Sequence, residues 1–424
     1  MKKNDFFYNL ISIFFFSFPI LIIIGPLFLN LFSVVMSIYA ILKINELKKL
    51  IFFKDKIFIS IILIIIFIFP YNNFNLNFTE LKINFDSTFF KYFSYFRYIL
   101  MCFGIIIFLK IYNSNNFFLT KVKNYYFLYL VLISIDVIIE LYTGSNIFGY
   151  FTYYPGRVAS FTNEELIIGY IFSFIVLFSI NDGILKLNKY FLLILTSLIL
   201  ILSFLIGERS NFIKLFSIII FFSSFHYINF NKFHFSKSLL FIITISFITI
   251  LIFGLMRNTP QAKKIYNIQI FEGNKLSLNQ LYFNNKHLAH YDAAFKIFLN
   301  YPIFGVGINN FGNESKKQKY ESKKFSYTNQ RSSTHPHQIY FEILAEVGLF
   351  GFLYLITLNL WIAFKAFKLY LKDKNFSLLG SLMLHIFFIY PLLPSGSFFG
   401  TNYGLPYWFN LSVLIYQIYF LKKN

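Results

Sequence analysis

Arg331-Ser-Ser-Thr-His-Pro-His337-Gln-Ile-Tyr-Phe-Glu-Ile-Leu-Ala-Glu346-Val-Gly348-Leu-Phe-Gly351 closes the only long hydrophilic stretch of a strongly apolar chain and runs straight into another apolar segment. Thr334 followed by Pro336 reads as a helix start, since Thr caps free amides and proline suits the first helical turn. At roughly 100° per residue, His337, Leu344, Gly348 and Gly351 share one stripe. Its two glycines invite a neighbouring helix to pack close, while Glu342 and Glu346 point to the other side. The expectation is one imidazole at a helix start, near a membrane surface.

The surroundings explain why a membrane is expected. Of 424 residues, 57% are hydrophobic, 23% are aromatic and only 13% are charged, more apolar surface than a soluble domain can hide. Hydrophobic length predicts an all-α, polytopic integral membrane protein with about twelve spans, near 7–24, 27–42, 57–70, 97–112, 125–142, 166–180, 190–206, 211–226, 238–256, 339–364, 376–393 and 405–421. With the N-terminus inside, the inner connections hold 20 Lys and Arg and the short outer loops hold 4, namely Lys82, Lys91, Arg157 and Arg209. The positive-inside rule then predicts both termini in the cytoplasm and the long loop 257–338 outside. The formal charge of +20 is thus an orientation signal. No soluble basic module or groove-reading motif supports a nucleic-acid partner. The lone Cys102 can form no internal disulfide. The chain divides into helices one to nine (1–256), the large loop that ends in the quoted His337 segment (257–338), and helices ten to twelve (339–424).

Within the loop, Lys286–Asn300 carries Leu288, Tyr291, Phe295, Phe298 and Leu299 at helical spacing, which predicts an amphipathic helix lying on the membrane face. It ends at Tyr301-Pro302, and Ile303-Phe-Gly305-Val-Gly307 follows as a turn. A dinucleotide fingerprint would need a third glycine where Asn310 stands, and no strand precedes it. Glu314 to Lys324 reads as a solvated helix face or a link. Two arginines sit at span ends: Arg209 in Gly207-Glu208-Arg209-Ser210, and Arg257 in Leu255-Met256-Arg257-Asn258. Arginine at membrane depth is costly and marks ion or substrate sites, the plainer alternative being snorkelling or pairing with Glu208. Arg97, Arg157 and Arg331 are expected on the same face and could join a substrate site. His287, His290, His335 and His337 put four of the seven histidines in the loop, but their spacing is not a strong zinc pattern and no metal is expected.

The spacing His337-Gln338, nine positions, then Gly348-Leu-Phe-Gly351, with Pro302-x-x-Gly305-x-Gly307 upstream, resembles the signature of the O-antigen ligase family. The position after the histidine is Asn, Ser or Asp in that pattern, so Gln338 departs from it. The resemblance implies a GT-C-like membrane glycosyltransferase with one large, partly helical periplasmic loop. Its donor would be an undecaprenyl-diphosphate-linked glycan and its acceptor lipid A-core or another glycan. It implies His337 as the catalytic base, Arg209 and Arg257 as pyrophosphate ligands, and no cofactor. It also implies the inner membrane, among its lipids, with the active site facing the periplasm. His335 lies outside the matched motif. An O-antigen polymerase joining lipid-linked repeat units is the nearest alternative. A transporter or flippase of lipid-linked sugars is the alternative of another class, although the charges gather at one face and no internal symmetry is evident.

Overall fold

The computed structural model describes residues 6–52, 56–69, 74–77, 80–83, 87–113, 116–152, 154, 156–165, 167–181, 183, 189–230, 285–322, 324–325 and 328–421. The apolar runs fold into helices because each backbone amide in such a segment must find its partner within that segment. In order these are α1 (Phe6–Ile24), α2 (Pro26–Leu42), α3 (Ile44–Phe52), α4 (Lys56–Phe67), α5 (Ser87–Tyr112), α6 (Phe117–Thr143), α7 (Ile168–Ser179), α8 (Lys189–Leu205), α9 (Arg209–Phe230), α10 (Lys286–Asn300), α11 (Ile339–Asp373), α12 (Phe376–Phe388) and α13 (Thr401–Phe420). Strand among the described residues is confined to a hairpin, Phe74–Asn77 against Glu80–Ile83, with Phe74 opposite Ile83.

Among the described residues, four helices are long and apolar enough to cross a membrane: Phe6–Ile24, Phe90–Tyr112, Phe117–Thr143 and Ile339–Asp373. Counting α2 and the start of α3, bent by 86°, as one span gives a fifth, and shorter apolar helices add to them. The chain is a helical, multi-pass membrane protein. The expected span 238–256 lies outside the described residues.

Aromatic side chains fill the core between α1, α2, α5 and α13. Phe18 stacks on Phe409 at 4.1 Å and 14°, Phe15 lies 5.4 Å from Phe108, and Phe32 meets both Phe15 and Phe18 edge-on. Such pairs add about 0.5–1.5 kcal/mol each beyond their buried area. Lys123, fully buried on α6, donates to the Ile180 carbonyl (3.1 Å) just past α7 and to that of Ser377 (2.8 Å) on α12. The carbonyl dipoles of these helix ends stabilise a cation there.

The stretch before α11 departs from its sequence reading. The helix starts at Ile339, and its cap is Gln338, whose side chain accepts from the amides of Tyr340 (2.7 Å) and Phe341 (3.0 Å). Gln338 thereby does what Asn, Ser or Asp would do at that position. Neither Thr334 nor Pro336 lies in the helix, and His337 stands outside it with a left-handed φ of 58°. The helix also breaks once, at Gly348 (φ 68°, ψ −169°).

The break and the upstream turn are one device. A break in the ladder strands the carbonyls of Ala345 and Glu346, and these accept instead from the amides of Val306 (3.0 Å) and Gly307 (2.8 Å). Leu349, beyond the break, donates to the Pro302 carbonyl (2.8 Å). A Cβ on Gly348 would strike the Ile303 carbonyl, and one on Gly305 would strike the backbone of Glu346. The glycine of the stripe expected to admit a helix therefore admits a turn. Gly351 does abut a helix end, since a Cβ there would lie 3.3 Å from the Phe67 carbonyl of α4. The helix α10 spans the residues read from sequence but buries a small-residue face, Ala289, His290, Ala293, Ala294 and Ile297, against this assembly. Its Phe295 and Leu299 stay exposed.

Gly305→Ala should lower stability by roughly 3 kcal/mol or more, because a left-handed backbone and a backbone clash combine there. Gly149→Ala, equally left-handed at φ 81° but with nothing within 4 Å, should cost only about 1–2 kcal/mol. Thermal unfolding of the purified variants compares the two, and equal shifts would show that the interlock contributes nothing.

Candidate functional site

Two glycine turns bring two arginines together. The Val158 amide donates to the Ile206 carbonyl (3.1 Å), and Gly207 (φ 84°) lies so close to the Gly156 carbonyl that no side chain fits between them. Arg157 and Arg209 follow these turns and line one cavity of about 950 Å³, near enough for their charges to repel. Among the described residues neither has a salt-bridge partner. Glu208, the expected partner of Arg209, turns away: it is buried and accepts from the Gly169 amide (2.7 Å) and from Asn211 Nδ2 (2.5 Å).

The same substitution of amides for cations recurs around the cavity. Glu140 accepts from the amides of Ala159 (2.8 Å) and Ser160 (2.6 Å), and Asp136 accepts from the Ser160 hydroxyl (2.5 Å) and the Ile147 amide (2.9 Å). These bonds hold the loop that carries Arg157. Glu342 accepts from the Ser397 hydroxyl and the Phe398 amide (2.7 Å). Glu346 accepts from the amides of Asn309 (2.6 Å) and Phe311 (3.0 Å), so the side facing away from the glycine stripe is a buried anchor, 0% exposed. Two carboxylates line the cavity, Glu165 and the amide-bonded Glu208, and the latter feels the Arg157 charge.

His337 enters the same cavity from the other side, with His287 and His335. Its carbonyl accepts from the Ser395 amide (2.9 Å), which fixes the left-handed backbone, and its Nε2 lies 3.2 Å from Ser333 Oγ. Its ring stacks on His290 (5.2 Å, 25°), with His335 at 4.2 Å and His287 at 5.2 Å. Burial first, then the neighbouring imidazoles, push its pKa down to about 3; burial likewise takes His335 to about 4. Both rings are therefore neutral at physiological pH. The cause is burial and not a helix terminus, since His337 precedes the capping residue. Lys214, five residues after Arg209 on α9, donates to the Pro394 carbonyl (2.7 Å) and so anchors the loop that holds the His337 carbonyl.

Of the other arginines read from sequence, Arg97 donates to Asn30 Oδ1 (2.6 Å) and lies over the Tyr98 ring, away from the cavity lining. Arg331 donates to the carbonyls of Lys316 (3.1 Å) and Lys317 (3.4 Å), also outside the lining. Arg257 lies outside the described residues. The segment read as a link is folded around Glu314, which pairs with Lys317 (2.6 Å) and accepts from Tyr320 OH (2.7 Å). Sequence reasoning did not find the segment 393–403, a loop that runs into the first turn of α13 and brings Ser395, Asn402 and Tyr403 to the cavity. Its signal was the Pro391 to Pro394-Ser-Gly396 cluster, which ends α12 at Phe388, five residues before the expected span end. Among the described residues no three His, Cys, Asp or Glu side chains are placed to hold a metal ion. The chemistry on offer is guanidinium binding of an anion beside a neutral imidazole.

Residues 191–356 match the family model described as O-antigen ligase. That segment contains Arg209, the Gly305 turn, His337 and both glycines of the stripe, but neither Arg157 nor the 393–403 loop. No curated protein matches the chain significantly.

Glu346→Gln sets an amide NH₂ against one of two backbone N–H groups. Loss of that bond inside the fold should cost about 1–3 kcal/mol, visible as a lower melting temperature and faster proteolysis at 305–311. Unchanged melting would mean that the anchor is dispensable.

Proposed function

We propose that this chain, whose residues 191–356 match the O-antigen ligase model, is a glycosyltransferase moving a glycan from undecaprenyl diphosphate to lipid A-core on the outer face of the inner membrane. The observation that supports this reading is the shared cavity, lined by two guanidinium groups without a salt bridge among the described residues and by a neutral imidazole. Guanidinium forks suit the paired oxygens of a diphosphate. Arg157 and Arg209, with Arg257 from the family resemblance, would hold that group.

The reaction then follows from charge. An acceptor hydroxyl attacks the anomeric carbon while the bond from that carbon to the diphosphate oxygen breaks. The electron pair leaves with the diphosphate, where the arginines stabilise the growing negative charge. His337 takes the hydroxyl proton as the new bond forms. A bound diphosphate also raises the basicity of an imidazole beside it, because the anion favours the imidazolium. The depressed pKa thus keeps the free site deprotonated, and the donor restores base strength at the moment it is used.

His337→Ala should slow transfer by about two to four orders of magnitude, the usual worth of a general base, with little change in binding of undecaprenyl diphosphate. Arg157→Lys and Arg209→Lys keep charge and lose the planar fork, so each should weaken that binding. Transfer is measured in vitro with purified full-length protein, lipid-linked donor and either lipid A-core or a second lipid-linked unit. Full activity of His337→Ala would end the general-base assignment, and transfer only to the second unit would make the enzyme a polymerase.

The depressed pKa adds a test of sign. Protonation inactivates a base, so lowering its pKa moves the acid limb of the pH profile downward. The rate constant kcat/KM, which reports the free enzyme, should stay flat as pH falls through the ordinary histidine value of about 6.5. An acid limb at that value would contradict the buried, neutral imidazole.

A further inference from the structure

We propose that His287 binds a hydroxyl group of the acceptor sugar beside His337, an assignment that rests on the transferase reading above. His287 lies in the first turn of α10, where its backbone amide is capped by Asn285 Oδ1 (2.9 Å). Its ring lines the cavity and stands 5.2 Å from that of His337 at 70°. The adjacent His290 holds the fold together, since it is fully buried, is absent from the cavity lining, and has Nε2 2.9 Å from the Gln330 carbonyl. What sets His287 apart is its place in the cavity lining; its buried Nδ1, like that of His290, has no hydrogen-bond partner among the described residues. An unsatisfied buried polar atom costs about 1–3 kcal/mol, and a ligand that fills it recovers that loss.

The chemistry of the ring says what kind of ligand fits. Burial, helped by His290 and Lys286, holds the imidazole below its usual pKa and therefore neutral. A neutral imidazole offers one lone pair and one N–H, which suits a hydroxyl, itself both donor and acceptor. Phosphate oxygens are acceptors only and are better served by the arginines. The hydroxyl that His337 deprotonates belongs to a sugar whose neighbouring hydroxyls come within reach of a second ring. His287 is thus placed to orient the acceptor, although a donor sugar carries the same chemistry.

Steady-state kinetics separates the two sources. Purified full-length protein is assayed with donor and lipid A-core varied independently. His287→Ala should raise the acceptor KM about two- to tenfold, the worth of one neutral hydrogen bond, with donor KM unchanged. His287→Asn, which keeps a neutral donor and acceptor, should recover most of the loss. A raised donor KM, or an unchanged acceptor KM, overturns the assignment. Absence of transfer by the wild-type chain overturns the transferase reading itself. Diethyl pyrocarbonate labelling of the wild-type protein, mapped by mass spectrometry, tests the same point without a variant. Protection of His287 by acceptor but not by undecaprenyl diphosphate is expected; protection by the diphosphate alone, or by neither, refutes it.

Discussion

Carboxylates bonded to loop amides are the constraint on which the rest of this site depends. Asp136, Glu140, Glu208, Glu342 and Glu346 are all buried, and each accepts from at least one backbone amide across a loop. Hydrogen bonds to a charged partner contribute roughly 1.5–3 kcal/mol each, enough to fix loops that have no secondary structure of their own. The arrangement has an electrostatic consequence as well. With these acids bonded to amides, Arg157 and Arg209 have no salt-bridge partner among the described residues, although Glu208 and Glu165 also line the cavity. The positions of the loops and the lack of that bridge thus have one cause.

The break at Gly348 is the counterpart on the imidazole side. It cuts a short helix, Ile339–Val347, from the long apolar one that follows, and it frees two carbonyls that grip the Val306 and Gly307 amides. The short helix is then pinned at both ends, by the turn below and by Gln338 above. His337 projects from just before that cap, its backbone held left-handed by Ser395. Histidine enters that region more readily than most residues, at a cost of order 1–3 kcal/mol. The loop behind it is itself tied to α9 by Lys214 and to α11 by Glu342. Arg209 and the support of His337 therefore rest on the same helix, which on the transferase reading would keep anion and base in register.

Much of this was legible in the residues. Apolar length gave the helices, because a segment in lipid must satisfy its own amides. The helix α10 was readable from its spacing, and the His337 to Gly351 motif from its residues. What misled was local grammar. Thr334 and Pro336 are good helix-start residues, yet the chain caps one step later with Gln338, whose longer amide reaches two backbone N–H groups. Helical periodicity set Glu342 and Glu346 on a far face and could not say that this face is buried. The spacing also could not foresee that Gly348 meets a turn, since that contact joins residues more than forty positions apart. Arg157 and Arg209 met through two turns of one glycine each, a pairing invisible to any local window. Arg97, Arg157 and Arg331 were alike on sequence, and only tertiary contacts separate the one at the cavity from the two held elsewhere.

The placing of unlike groups in one cavity also bears on the order of events. A buried imidazole among three other rings is a poor base before substrate arrives, since burial and those rings disfavour its protonation. That weakness is reversible, because it comes from an unbalanced field and from burial and not from a lost hydrogen bond. On the transferase reading, a diphosphate on the arginines would supply the missing negative charge, an effect that is strong at short range. Proton affinity at His337 and donor occupancy at Arg157 and Arg209 would then be linked, each favouring the other, as thermodynamic coupling between two sites requires. On the transferase reading, the acceptor would meet an effective base only when a donor is present to react with it. Water, which could hydrolyse the donor, would compete only during that interval, and a ring such as His287 that holds the acceptor in place shortens it.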